Sequence, residues 1–249
     1  MKILSITLVG LILTVLPRAA AVQAEDSGLI LMYSDLEPYV IVEDNIVSGF
    51  LADYLNNVTK DAKIKAIWEN VPWERQIPTL KRNQPNVCAV GLVETPERLA
   101  YMRFTDFIGI DEAFILMAVK NHQGLLNHKS FHAVLDDQTL KPILKGQAVF
   151  SPYINGLLAN REFETTTSST PRRVRSLTKN KNTYIIITPY MAENMLAKND
   201  PKKELGIYRH FDDLGDDVPY SLACSKSTDD DLFNRLNAQI KIHGISYPK

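Results

Sequence analysis

Residues Cys88 to Phe107 read CAVGLVETPERLAYMRFTDF, and this stretch decides the fold. Val87 to Leu92 is an apolar run of strand length, broken at Gly91. A helix start follows, with Thr95 as N-cap and Pro96 at the first helical position, where a missing N–H costs nothing. Arg98 then falls in the first turn, where the helix dipole disfavours a cation by roughly 0.3–1 kcal/mol unless something negative is bound nearby. Free backbone N–H groups, a Thr hydroxyl and a guanidinium fork at the C-terminal end of a strand form a pocket for a carboxylate or phosphate, the usual ligand position in open α/β sheets.

Outward from this segment strands and helices alternate. Leu29 to Ser34 is an apolar strand, and Glu43-Asp44-Asn45 marks a turn. Gly49 leads into a helix with Phe50, Tyr54, Leu55 and Val58 at helical spacing. Ala66 to Val71 is the next strand, and Pro72-Trp73 opens a helix with Ile77 and Leu80 inward. With the Val87 strand and the Thr95 helix this makes a β-α-β-α-β-α run, the pattern of a mostly parallel sheet covered by helices. The pattern restarts after Phe107, with strands expected at Ala113 to Val119, Gly146 to Phe150 and Tyr184 to Ile187, and a basic helix from Thr170 with Val174 and Leu177 inward. Pro219 to Ser225 reads as a returning strand and Asp229 to Ile242 as a closing helix.

The ends and the composition bound the function. Met1 to Ala24 carries Lys2, an apolar run from Ile3 to Leu16 and small residues up to Val22-Gln23-Ala24, the three regions of a secretory signal peptide. The apolar run is shorter than the roughly 20 residues needed to span a bilayer. Cleavage would leave a chain starting at Glu25, exported to the periplasm. Loss of Lys2 and Arg18 takes the formal net charge from −1 to −3, which gives no support for nucleic-acid binding. No phosphate loop, nucleophile elbow or paired-acid motif is present, and no cofactor is expected. His128 and His132 lie four apart but lack further ligands at metal spacing, so no metal is expected. The run Arg172-Arg173-Arg175-Lys179-Lys181 reads as a solvated helix face.

Five motifs in order carry a resemblance. Pro38-Tyr39, Ser48-Gly49-Phe50-Leu51-Ala52-Asp53, Pro72-Trp73-Glu74-Arg75 with Leu80, Gly91…Thr95-Pro96-Glu97-Arg98 and Phe104-Thr105-Asp106-Phe107 resemble type II periplasmic solute-binding proteins of the polar amino-acid class, extracellular family 3. The Trp-x-Arg variant is similar to one branch of that family. The resemblance implies an α/β, two-lobed periplasmic-binding-protein-like type II fold with its ligand cleft between the lobes. Residues 25–108 and 219–249 would form lobe 1 and residues 109–218 lobe 2, with hinge crossings near Gly109 and Val218.

It also implies site residues. Arg98 would grip a ligand carboxylate, since a planar guanidinium pairs with it bidentately, while Thr95 and the backbone of Leu92 or Val93 add hydrogen bonds. Tyr39 would supply an aromatic wall, with Tyr33 a weaker candidate, extended by Trp73 and flanked by Arg75. Read from the residues alone, Tyr39 and Trp73 are equally core aromatics, and Arg75 is equally a surface residue. In the second lobe, Thr188 stands where amino-acid binders of this class carry an Asp, and a neutral Thr cannot give an α-ammonium a charge-assisted hydrogen bond. Ser151 and Asn155, in Ser151-Pro152-Tyr153-Ile154-Asn155, replace the usual Gly-Thr helix start and could cap a helix aimed at the cleft. The family's last helix is nearly absent, since only five residues follow Gly244.

The resemblance further implies that the strand at Val218 to Ser225 returns beside the one carrying Cys88, so that Cys88 and Cys224 would form a disulfide in an oxidising compartment. The implied function is non-catalytic binding of a small, carboxylate-containing, anionic solute by a monomer that closes about its hinge. Its partner would be an ABC permease or a membrane sensor. Two alternatives stand beside it: an enzyme on the same fold, of the cyclohexadienyl dehydratase type, with Glu94 and Glu112 as candidate acids or bases, and a sensory or interaction protein whose cleft has degenerated.

Overall fold

Strand β1 (Leu29–Tyr33) alternates its side chains between two apolar layers, Leu29 and Leu31 packing to one side and Met32 to the other. A strand buried on both faces needs helices above and below it, and the chain supplies them. The computed structural model describes residues 28–34 and 36–248. The signal peptide expected at residues 1–24 lies outside these described residues.

After β1 come the hairpin β2 (Ile41–Glu43) and β3 (Ile46–Ser48), helix α1 (Phe50–Asp61), β4 (Ala66–Asn70), α2 (Trp73–Lys81), β5 (Val87–Leu92), the short helix α3 (Pro96–Leu99) and β6 (Met102–Asp111). Gly49 enters α1 at φ 104°, and a Cβ there would lie 2.7 Å from the Pro38 carbonyl oxygen. Only glycine tolerates both conditions. Then follow β7 (Ile115–Val119), α4 (Gln123–Leu126), α5 (Phe131–Asp136), β8 (Lys141–Pro142), β9 (Leu144–Lys145), α6 (Pro152–Ala159), β10 (Thr165–Thr166), α7 (Thr170–Leu177), β11 (Thr183–Ile187), α8 (Pro189–Asn199) and β12 (Leu205–Tyr208). The chain returns through β13 (Val218–Ser225) and ends on α9 (Asp230–His243).

Two sheets result. The first has the order β4-β1-β5-β13-β6, with β4, β1 and β5 parallel and β13 antiparallel to both its neighbours. Its core packs on one side against α1 and α9 through Leu51, Leu55, Leu232 and Leu236, and on the other against α2 through Ile77 and Leu80. The second sheet has the order β12-β7-β11-β8, with β7 antiparallel to β11 and β12. In β11, Tyr184 and Ile186 face the layer containing Phe131, while Ile185 and Ile187 face Val174 and Leu177 of α7. The long strands β6 and β13 carry the chain out of the first sheet and back, which makes the two-lobed type II architecture.

Cys88 and Cys224 sit opposite each other in the β5–β13 register and form a disulfide. The tail beyond α9 folds back on β6, where the Ile110 N–H donates to the Ser246 carbonyl at 3.0 Å.

The segment expected as a strand at Gly146 to Phe150 is a loop instead. Gln147 lies at φ 60°, outside the strand region, and the Gly146 and Gln147 carbonyls accept side-chain donors from the other lobe rather than ladder partners.

Candidate functional site

The Thr95 hydroxyl accepts the Arg98 backbone N–H at 3.2 Å, so α3 starts where an N-cap and Pro96 set it. This turn carries the Arg98 side chain under the β5 end of the sheet, where it is only 5% exposed. Its guanidinium donates to the Val93 carbonyl at 2.7 Å and, across the cleft, to the Gln147 carbonyl at 3.2 Å. Burial pulls its pKa below the ordinary arginine value, opposed by Tyr101 and Glu97.

Between the lobes lies a cavity of about 150 Å³. The first lobe contributes Ser34, Trp73, Leu92, Val93 and Arg98 to its wall. The second contributes Lys145, Phe150, Thr170, Arg173 and Ile186, with Phe114 from the segment between β6 and β7 and Val218 and Tyr220 from β13. Among these described residues the charged ones are Arg98, Lys145 and Arg173, all cations. The sequence also places an acid, Asp35, between the lining residues Ser34 and Leu36, outside the described residues.

Among the described residues, four polar contacts join the lobes around this cavity. The Trp73 indole N–H donates to the Gly146 carbonyl at 2.8 Å, and Arg98 reaches Gln147 as described. Lys198 pairs with Glu37 at 2.7 Å. The Tyr39 and Thr188 hydroxyls meet at 2.5 Å, and the Tyr39 hydroxyl also donates to Asp111.

The sequence pattern of bacterial extracellular solute-binding proteins, family 3, matches residues 29–243. The chain belongs to this family. No curated protein matches it in sequence. Solved structures share the fold. The arginine-, lysine-, histidine-binding protein ArtJ from Geobacillus stearothermophilus superposes with TM-score 0.68 at 16% identity, over 86% of this chain and 88% of that one. The amino acid ABC transporter substrate-binding protein AbpA from Streptococcus pneumoniae, bound to L-arginine, gives TM-score 0.68 at 15% identity over 86% and 87%. A histidine kinase sensor domain with similarity to periplasmic binding proteins gives 0.68 at 14% identity over 87% and 90%.

In this family 3 protein the structure brings Arg98, Trp73, Leu92 and Val93 together on the cavity wall. Tyr39 and Thr188 meet each other but do not line it; both are buried, with Tyr39 against Asp111 and Tyr220. Tyr39 packs edge-on against Tyr190 and Tyr220, with ring centroids 5.6 and 5.4 Å apart. Burial raises its pKa well above the tyrosine value, and Tyr220 and Asp111 add to the shift. Asp111 is raised as well, by burial, against the hydrogen bonds it accepts from Tyr39 and the Glu112 N–H.

The remaining candidates stand off the wall. Thr95 spends its hydroxyl on the cap, and Arg75 is exposed on α2. Ser151 caps α6 by accepting the Ile154 N–H at 3.3 Å, and the Asn155 side chain bonds both the N–H and the carbonyl of Phe150 at 3.0 Å. Both hold the 146–150 loop from behind.

Several lining residues escaped the sequence reading, among them Arg173, Lys145 and Phe114. Arg173 was placed on a solvated face, yet it is 8% exposed. Its guanidinium donates to Ile143 and Thr170 at 3.3 and 3.1 Å. The signal was present, since Arg173 lies four before Leu177 and three after Thr170, on the inward side of α7. Lys145 and Phe114 carried no such periodic mark.

Proposed function

We propose that this protein binds a small organic anion in the cleft between its lobes and signals occupancy by hinge closure. The observation that carries this reading is the cavity enclosed between the lobes, with the buried guanidinium of Arg98 on its wall from one lobe and Lys145 and Arg173 from the other. A guanidinium fork and an ammonium suit a carboxylate. Contacts made to the solute by both lobes would favour the closed arrangement over an open one. On this reading residues 25–108 and 219–249 move as one lobe against residues 109–218, with the turn near Gly109 and Val218.

The proposed setting is the periplasm, reached through the leader at residues 1–24, with delivery to an ABC permease or presentation to a membrane sensor. No helix among the described residues is long and apolar enough to cross a membrane. A non-catalytic role is favoured by the position of the two candidate acids, since neither Glu94 nor Glu112 is among the described residues that line the cavity. Glu112 is paired with Arg209 at 3.3 Å.

The test is equilibrium dialysis of the mature protein against organic acids, amino acids, sugars and short peptides, with the solute recovered and analysed. One class retained unchanged at one per protein supports the reading. Conversion of the solute, or retention of none, contradicts it.

A further inference from the structure

Resting on the closure of the two lobes read above, we propose that Asp111 couples that closure to proton uptake, so that acid favours the closed arrangement and alkali the open one. The coupling is built from side chains on both sides of the hinge.

Tyr39 is anchored in the first lobe. Its backbone carbonyl accepts the Leu51 and Ala52 N–H groups at the start of α1, at 2.9 and 3.2 Å, and its ring packs into the core beside Leu51 and Leu55. Its hydroxyl has both partners within residues 109–218, read above as the second lobe. It donates to Asp111 at the end of β6 and meets the Thr188 hydroxyl at 2.5 Å. Thr188 holds the N-cap position of α8 yet makes no cap bond with its side chain, whereas Thr95, Ser130 and Ser151 all cap their own helices. Its hydroxyl is directed to Tyr39 instead. Tyr190, two residues on, covers the group, its ring 5.6 Å from that of Tyr39 and 6.1 Å from that of Phe50. Asp111 is only 2% exposed, so closing the lobes takes its carboxylate out of water.

The groups around it supply hydroxyls and negative charge. Among the described residues, the titratable side chains that face Asp111 are Tyr39, Tyr220 of β13 and the adjacent Glu112. The groove it borders adds Tyr190 and Glu193 of α8, Asp217 ahead of β13, and Tyr247 of the tail. Asp53 of α1 acts on Tyr190. None of these is a cation. Arg209 and Lys198 pair with other acids at this corner, Arg209 with Glu112 and Glu193 at 3.3 and 2.9 Å and Lys198 with Glu37 at 2.7 Å.

A carboxylate buried without a counter-charge favours its neutral form. Burial accordingly raises the Asp111 pKa, against the bonds from Tyr39, Thr188 and the Glu112 N–H. Opening moves α8 off Tyr39 and returns the carboxylate to water and to its ordinary value. The closed form therefore binds the extra proton between the two values. Its advantage is full below the ordinary value and is lost as pH rises through the raised one. Across that window the closed-to-open ratio falls by up to about tenfold for each pH unit.

The test is small-angle X-ray scattering of the full mature protein, without added solute, from pH 4 to pH 8, with circular dichroism to follow folding. Wild type is expected to shift from a compact towards an extended form as pH rises, and Asp111→Asn, which cannot ionise, to stay compact throughout. Thr188→Val keeps the carboxylate and removes the interlobe hydroxyl. It is expected to be more extended than wild type at each pH and to retain the pH response, and it decides the matter if Asp111→Asn does not fold. A response of equal size in wild type and Asp111→Asn overturns the proposal and leaves closure itself standing. A flat profile in wild type or in Thr188→Val also overturns it, and the solute-binding reading then rests on the dialysis alone.

Discussion

The indole N–H of Trp73 reaches across the cleft to the carbonyl of Gly146 at 2.8 Å, so that the first turn of α2 holds the loop leading into α6. Beside it Arg98 holds the next carbonyl, of Gln147, at 3.2 Å. Two neighbouring peptides of one lobe are thus gripped by two side chains of the other, and the cleft wall doubles as the closing contact.

Removing one grip loosens the loop. In Trp73→Phe the aromatic bulk stays and the donor goes, leaving the Gly146 carbonyl to water at a cost of about 0.5–1.5 kcal/mol to the closed arrangement. Amide exchange in residues 146–150, followed by mass spectrometry, is expected to quicken several-fold while the β1 and β5 amides are unchanged. Equal exchange in variant and wild type would show that Trp73 does not hold the loop.

The Cys88–Cys224 disulfide closes a sequence separation of 136 residues, between two fully buried positions on neighbouring strands. Cys88→Ser with Cys224→Ser is expected to lose about 2–4 kcal/mol, read from urea unfolding midpoints. Reductant added to the folded wild type is expected to act only slowly, because both sulfurs are covered. An unchanged midpoint would mean that the sheet alone fixes the returning strand.

Asp111 sets a pH dependence of known sign. Burial raises its folded pKa above the unfolded value, so the folded state binds the extra proton as pH rises between the two. Its contribution is therefore fully present below the unfolded value near 3.8 and is lost as pH rises through the folded one. Asp111→Asn, which cannot ionise, is expected to gain stability relative to wild type on going from pH 3 to pH 7. A difference that stays constant across that range would contradict the assignment.

Asp137 behaves in the opposite sense. The Thr139 hydroxyl, then His128 at 3.0 Å and the Thr139 N–H, hold its carboxyl down at about 2. Its contribution is present above the ordinary carboxylate value and is lost as pH falls through about 2. NMR titration should find Asp137 below the other surface acids, and Thr139→Ala should move it back toward them. A normal value in the wild type would remove the hydrogen bonds from the account.

Legibility followed local physics. The β5–α3 segment could be read because an apolar run, an N-cap Thr and a helix-starting Pro agree within ten residues, and β1 and β11 because both-face burial leaves unbroken apolar runs. The loop at residues 146–150 looked like a strand, since Ala148, Val149 and Phe150 are apolar. Their apolar character serves the cavity wall instead, and only the partners across the cleft reveal it. Tyr39 was legible as an important aromatic, whereas its contact with Thr188, 149 residues away, depends on how the lobes meet. Arg173 was hidden in a run of cations whose other members face water.

The most direct measurement is calorimetric titration of wild type, Arg98→Ala and Arg98→Lys with the tightest-binding acid from the panel. The account predicts one site per protein in the wild type, at least a hundredfold loss in Arg98→Ala, and only partial recovery in Arg98→Lys, whose ammonium supplies charge without the fork. Undiminished binding in a folded Arg98→Ala would contradict it.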